Sequence, residues 1–95
     1  MMKVIYKYPL EITDTQAVNM PHGAQLLSVQ KQNGELCLWA LVDTAQPTAP
    51  RQIVIVGTGN PIQNPGTYVD SVQMENEWGV LVWHIFDRGL IPIGG

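Results

Sequence analysis

The sequence predicts an all-β domain, either a small antiparallel β-sandwich or an open barrel of five to seven short strands. Apolar and polar residues alternate in several short segments, and turn residues interrupt these segments at intervals of about 8–12 positions. The chain has 95 residues, 45% of them apolar, which suffices for one compact core. Residues 1–95 are therefore expected to form a single domain, without repeats or low-complexity segments.

Two strands are predicted in the first 21 residues, and each ends at a proline. Lys3–Pro9 alternates as a strand does, and Pro9 favours an edge position or a strand end because proline donates no ladder hydrogen bond. Ala17–Pro21 is interpreted as a second short strand, closed by a turn at Pro21-His22-Gly23.

Asn33-Gly34 is the strongest local signal in the sequence. Both central residues of a type I′ turn need a positive φ, which Asn and Gly adopt at low cost. A tight hairpin is therefore predicted between Gln25–Gln32 and Glu35–Val42, with Leu27 opposite Ala40. Side chains alternate across a strand, so one face of this hairpin is expected to form the core: Leu27, Val29, Leu36, Leu38, Ala40 and Val42.

The second half of the chain predicts one strand, one long loop and a second hairpin. Asp43–Pro50 is interpreted as a loop, and Arg51–Val56 as a buried β-branched strand. Gly57–Gly66 is rich in glycine and proline and is expected to stop regular structure. Tyr68–Met74 and Gly79–Phe86 are predicted to form the hairpin, joined around residues 75–78. The last strand is apolar on both faces, which predicts a place in the centre of a sheet or at a subunit contact.

Composition excludes several classes of function. Charged residues make up 14% of the chain and the net charge is −3, so no basic stripe for DNA or RNA is expected. No apolar run reaches the about 18 residues of a membrane span, and the first residues do not resemble a signal peptide. The single cysteine, Cys37, excludes an internal disulfide framework and a cysteine-rich zinc site. The low charge also predicts a homo-oligomer that covers part of the apolar surface.

Five motifs are spaced along nearly the whole chain: Tyr8-Pro9-Leu10, Met20-Pro21-His22-Gly23-Ala24, Leu38-Trp39-Ala40-Leu41-Val42-Asp43, Gly57-Thr58-Gly59 and Val82-Trp83-His84-Ile85-Phe86. This pattern resembles a family of phage and prophage proteins near ninety residues long, of unassigned function. The resemblance implies action in the cytoplasm of an infected bacterium. Small β-rich phage proteins include sponges that sequester nucleotide immune signals, such as cyclic dinucleotides or cyclic ADP-ribose isomers. By analogy with them, the chain is expected to bind and sequester such a signal and so inhibit antiviral defence.

The glycine-rich segment after the apolar strand is a candidate phosphate site. Gly57, Thr58, Gly59 and Asn60 offer unhindered backbone N–H groups, a hydroxyl and an amide, which can form an anion-binding concavity. The segment lacks the lysine of a P-loop, and no convincing helix follows it to contribute a dipole. The alternative interpretation is a glycine-rich turn that reverses the chain.

Three more side chains complete the predicted nucleotide site. Arg51 is expected to add charge, because its guanidinium fork matches two phosphate oxygens; the alternative is a solvated charge at a strand end. Trp39 or His84 is expected to stack on the base. The alternatives are core or interface packing for the tryptophan and a hydrogen-bonded core position for the histidine.

No catalytic or metal constellation is recognisable in the sequence, so neither an enzyme nor a cofactor is expected. His22 and His84 lie far apart and lack the spacing of metal ligands, and no Ser/His/Asp order is visible. The leading hypothesis is a non-enzymatic nucleotide binder. The alternative is a protein-interaction or virion-accessory module with no small-molecule ligand, and a small nucleotide hydrolase is the third possibility.

Overall fold

A computed structural model describes residues 2–91, which form seven antiparallel strands in two sheets. The three-stranded sheet has the order β1-β4-β3 and the four-stranded sheet the order β2-β5-β7-β6. The predicted all-β class is confirmed, in its sandwich form. The strands are β1 Lys3–Leu10, β2 Thr15–Pro21, β3 Gln25–Gln32, β4 Glu35–Asp43, β5 Thr48–Gly57, β6 Thr67–Asn76 and β7 Gly79–Leu90.

The core lies between the inner faces of the two sheets. The three-stranded sheet contributes alternate residues of β4, and the four-stranded sheet contributes alternate residues of β5 and β7. Because strand side chains alternate between faces, the residues between these core positions point to the outer faces of the sandwich. The central members of the core are fully or almost fully buried: Leu36, Leu38, Ala40, Val42, Ile53, Ile55 and Ile85.

Strand order confirms two predictions and corrects one boundary. β7 lies between β5 and β6, which explains why its residues are apolar on both faces. β1 is an edge strand, as Pro9 indicates. The predicted loop at 43–50 is too long, because β5 begins at Thr48 and Pro50 pairs with Asn19 of β2.

The first hairpin has the predicted turn, and its register is right as far as Ser28. Asn33 and Gly34 have φ values of 52° and 82°, as a type I′ turn requires. A bulge then falls between Leu26 and Ser28, so Leu26 instead of Leu27 pairs with Ala40. The prediction that Leu27 belongs to the core is wrong, since it is 42% exposed. The other members of the predicted core face are buried: Val29, Leu36, Leu38, Ala40 and Val42.

The bulge of β3 adjoins a second bulge, in β6, where the two sheets meet. The β6 bulge falls between Tyr68 and Asp70. One carboxylate oxygen of Asp70 accepts a hydrogen bond from the Val29 N–H at 2.9 Å, and the other accepts from the Ser71 N–H at 2.8 Å. The Asp70 carboxylate therefore satisfies a backbone donor of β3 and joins the edges of the two sheets.

Replacing Asp70 by alanine should lower the free energy of unfolding by about 2 kcal/mol, because the Val29 N–H would lose its acceptor in a partly buried site. Asp70→Asn keeps one amide oxygen as an acceptor and should cost less. Urea unfolding followed by tryptophan fluorescence measures both changes. Equal stability of the alanine variant and the parent would contradict the role assigned to this carboxylate.

The second hairpin is longer than predicted, and its turn is shorter. Asn76 pairs directly with Gly79, so Glu77-Trp78 alone forms the turn. The Asn76 side-chain oxygen accepts a hydrogen bond from the Trp78 N–H at 2.8 Å. Asparagine commonly stabilises a turn in this way, by bonding to the backbone two residues further on.

Candidate functional site

Four polar side chains form a continuous hydrogen-bonded chain on the outer face of the four-stranded sheet. His84 Nε2 lies 2.6 Å from Thr58 Oγ1, and His84 Nδ1 lies 2.8 Å from Ser71 Oγ. Ser71 Oγ in turn lies 2.8 Å from the Tyr68 hydroxyl. We call these four residues, Tyr68, Ser71, His84 and Thr58, the hydroxyl–imidazole cluster.

Strand register brings the cluster together. Ile85 points into the core, so its neighbour His84 points outward, where Ser71 is its direct partner on β6. Thr58 follows the last residue of β5, and its N–H donates to the Val82 carbonyl at 3.3 Å. The start of the long loop is thereby held against β7, beside the imidazole.

The cluster can reverse its hydrogen bonds. A neutral imidazole has one donor and one acceptor nitrogen, and a hydroxyl can donate or accept a hydrogen bond. If His84 Nε2 donates to Thr58, the Thr58 hydroxyl hydrogen is free to donate to a ligand. If Thr58 donates to His84 Nε2 instead, His84 Nδ1 donates to Ser71 and Ser71 donates to Tyr68, which leaves the Tyr68 hydroxyl hydrogen free. In either direction one hydroxyl hydrogen remains free to donate, so the cluster is suited to a ligand rich in acceptors, such as an anion.

An aromatic surface adjoins the cluster. Tyr68 pairs with Phe86 across the β6–β7 ladder, with ring centroids 5.6 Å apart and an interplanar angle of 71°. Tyr68 is 56% exposed, so a flat group can contact its ring while the hydroxyl remains bonded to Ser71. Aromatic rings of this kind stack on nucleobases.

A groove of about 250 Å³ runs along the loop that follows β5, beside the cluster, although none of the four cluster residues lines it. Its lining includes Val56, the direct partner of His84 on β5, together with Thr15, Asn60 and Ile62. Arg88 lines the same groove. The groove therefore combines apolar side chains, amide and hydroxyl groups, one cation, and one carboxylate, that of Asp14.

Arg88 anchors the loop and brings a positive charge to the groove. Its Nε donates to the Asn64 carbonyl at 2.6 Å and its Nη2 to the Gln63 carbonyl at 2.8 Å. A longer contact of 3.5 Å joins Nη1 to the Gln52 side-chain oxygen. All three acceptors are neutral, so the charge of this guanidinium is not balanced by a carboxylate within residues 2–91.

The predicted glycine-rich segment and histidine lie together in this region. Thr58 bonds directly to His84, and Asn60 lines the groove. Gly57 packs against the Trp83 ring, and Gly59 adopts a left-handed conformation with a φ of 88°. The sequence analysis thus identified two of the four residues of the cluster.

Trp39 does not join the other predicted residues. It lies on β4 between the buried residues Leu38 and Ala40, so its side chain points to the outer face of the three-stranded sheet. Lys7 Nζ lies 5.9 Å from its ring centroid. Trp39 and His84 therefore occupy opposite outer faces of one chain.

Arg51 has its donors occupied within the fold. Its Nη2 and Nε bond to the Asp87 carboxylate at 2.6 and 3.1 Å, and its Nη1 donates to the Ala24 carbonyl at 2.6 Å. Both side chains of the ion pair are largely buried. A guanidinium already paired in this way is poorly suited to bind phosphate as well.

Nothing in the sequence singles out Tyr68 or Ser71 as a site residue, and of the two arginines, both possible phosphate ligands, the sequence favours Arg51 over Arg88. A two-residue turn at Glu77-Trp78 would have placed Ser71 opposite His84, so the shorter turn was the signal that could have found the serine. Arg88 and Tyr68 could not be found in this way, because their placement depends on the long loop and on the β6 bulge.

Residues 2–91 contain no group of three or more His, Cys, Asp or Glu side chains that could hold a metal ion. In the same range, no helix is long and apolar enough to cross a membrane. Cys37 is a free, buried thiol.

The fold and the cluster together define a small two-sheet β-sandwich with a polar hydrogen-bonded cluster on one outer face. The chain belongs to the DUF7352 family, a domain of unknown function, whose model matches residues 1–90. The comparison with curated proteins finds no match, and neither does the comparison with solved structures.

Proposed function

We propose that the protein binds a small phosphorylated nucleotide at the hydroxyl–imidazole cluster and releases it unaltered. The observation that carries this proposal is the chain of bonds from Tyr68 through Ser71 and His84 to Thr58, which leaves a terminal hydroxyl hydrogen free whichever way the bonds run. Phosphate oxygens are acceptors, and the cluster can present donors to them without any change in its own geometry.

The neighbourhood of the cluster supports a nucleotide in preference to a simple anion. The exposed ring of Tyr68, backed by Phe86, supplies a surface on which a base can stack. Arg88 supplies a positive charge in the adjoining groove. Tyr68 thereby takes the stacking role that the sequence predicts for Trp39 or His84, and Arg88 takes the role that it predicts for Arg51.

We further propose that the ligand is a nucleotide immune signal, of the cyclic dinucleotide or cyclic ADP-ribose type, sequestered in the cytoplasm of a phage-infected bacterium. The support for this part is the resemblance of the sequence motifs to phage and prophage proteins. A sponge must hold its ligand at signalling concentration, which requires micromolar binding or better, about 8 kcal/mol.

The Ser71–His84 contact also favours a second candidate, a hydrolase. A serine hydroxyl 2.8 Å from an imidazole nitrogen is a nucleophile–base arrangement. In a catalytic triad, however, a carboxylate bonds to the other nitrogen and stabilises the imidazolium, whereas here that nitrogen meets the Thr58 hydroxyl. This difference supports binding over cleavage.

Titration calorimetry against a panel of cyclic dinucleotides and cyclic ADP-ribose isomers tests the proposal. We expect Thr58→Val to weaken binding about 5- to 10-fold, because it keeps the side-chain shape and removes one hydrogen bond, worth about 1 kcal/mol. His84→Phe removes the link between both hydroxyls and should weaken binding by about 10- to 100-fold.

Thr48→Val is the matched control, since it makes the same change at an exposed position at the start of β5 and should leave affinity unaltered. Chromatography of the bound ligand after release separates the candidates. If no member of the panel binds, the nucleotide proposal is wrong. If a ligand emerges cleaved, the hydrolase takes its place.

A further inference from the structure

We propose that copies of this chain associate head to tail. The tip of the β6–β7 hairpin of one copy, residues 75–82, docks on the outer face of the three-stranded sheet of the next copy. The two surfaces lie outside the hydroxyl–imidazole cluster, so this inference is independent of the proposed nucleotide site. It rests on the apolar side chains that are exposed at both surfaces, and on the match between the glutamates of the hairpin tip and the lysines of β1.

The hairpin tip is an apolar projection from the sandwich. β5 pairs with β7 only as far as Gly57 and Trp83, and Thr58 adds one bond to the Val82 carbonyl, so residues 79–81 of β7 are paired with β6 alone. The large apolar side chains of the tip are exposed, Trp78 by 87%, Val80 by 55% and Leu81 by 45%. Clustered exposed hydrophobic residues, tryptophan above all, typically mark protein interfaces.

The tip is also acidic and its turn is well defined. Glu75 and Glu77 are exposed beside Trp78, and no basic residue occurs between positions 73 and 82. The bond from the Trp78 N–H to the Asn76 side chain fixes the turn and thereby limits the entropy lost when the tryptophan binds a partner.

The outer face of the three-stranded sheet carries two lysines along its β1 edge, beside an apolar centre. On β1, Lys3 and Lys7 flank Ile5, which is 59% exposed. Trp39 and Leu41 lie half-buried beside them on β4. Asp43 is the direct partner of Lys3 across the β1–β4 ladder, and Glu35 lies at the other end of β4. The two lysines of this face are therefore matched in number by two carboxylates, and its positive charge lies along the edge strand β1.

The distribution of cations favours this face as the partner of the acidic tip. All three lysines of the chain lie on strands of the three-stranded sheet. Of the two arginines, Arg51 is paired with Asp87, and Arg88 lies in the groove of the four-stranded sheet. A second copy therefore presents both an apolar surface for Trp78 and the lysines that complement Glu75 and Glu77.

A contact between two different surfaces is heterologous, so it extends into a ring or an open chain of copies instead of closing as a symmetric dimer. The hairpin tip is small, so the contact should be weak and transient. Light scattering of the full chain between about 10 µM and 1 mM should show a mass that rises with concentration above 10.5 kDa. Added salt should reduce this rise, because it screens exposed charges.

Two variants that each remove one surface give the decisive test. The face variant, Lys3→Glu with Lys7→Glu, keeps its tip, and the tip variant, Trp78→Ser, keeps its face. Each alone should remain at the monomer mass, whereas the average mass of an equimolar mixture should rise with concentration toward twice that mass and no further. Lys31→Glu, the same charge change at an exposed position on β3, is the control and should assemble like the parent.

Three outcomes would overturn the proposal. A parent protein that stays monomeric over the whole concentration range has no such contact between copies, and the hairpin tip then meets a different protein or none. Variants that still self-associate use another surface. A mixture that yields no species of double mass excludes the pairing of these two surfaces. Unchanged melting temperatures would show that the exposed substitutions leave the fold intact.

Discussion

Replacing Gly66 by alanine should lower the free energy of unfolding by about 3 kcal/mol or more. Gly66 has a φ of +89°, which L residues adopt only with strain. A Cβ there would also overlap the Asp87 carbonyl oxygen and lie 2.9 Å from the Arg88 Cα. Both of these are backbone atoms of β7 and cannot move aside as a flexible side chain could. Chemical denaturation followed by tryptophan fluorescence measures the loss.

Gly59→Ala is a matched control for the strain alone. Gly59 has nearly the same φ, +88°, but nothing lies within 4 Å of the position a Cβ would take. The left-handed conformation should cost this variant about 1–2 kcal/mol. Similar losses in the two variants would mean that the loop can move away from β7, and the close packing of Gly66 would then be unimportant for stability.

Arg51→Met should lower the free energy of unfolding by about 3 kcal/mol, the second large effect. The substitution leaves the Asp87 carboxylate with the Gly89 N–H but without its cation, at a side chain that is only 11% exposed. It also removes the donor to the Ala24 carbonyl, which links the turn after β2 to β5. An unpaired charge at a largely buried site is much more costly than the same charge in water.

Lys31→Met makes the same change of charge at an exposed position and should alter stability by less than about 0.5 kcal/mol. Measuring both unfolding and ligand affinity separates two roles for Arg51. A structural role predicts a large loss of stability and unchanged affinity for any nucleotide the folded protein binds. A variant that is as stable as the parent but no longer binds ligand would restore Arg51 as a phosphate ligand.

The sequence by itself determined the class of fold and most of its local structure. Positive φ at Asn33-Gly34 depends on the chemistry of two adjacent residues, and strand alternation depends on the fixed two-residue period of a strand. Such features need no knowledge of distant residues. The same local logic explains why the apolar faces of β7 correctly predicted a central strand and why Pro9 correctly predicted an edge.

Only the tertiary structure decided which residues meet. Arg51 and Asp87 are 36 positions apart, and their pairing follows from the adjacency of β5 and β7, which no local pattern encodes. Assignment of β4 to one sheet and β7 to the other likewise puts Trp39 and His84 on opposite faces. The bulge that exposes Leu27 forms where β3 meets β6 at the junction of the sheets. Strand order and bulges are settled by contacts between distant parts of the chain, and the pairing of β5 with β7 also brings Thr58 of the long loop to the imidazole on β7.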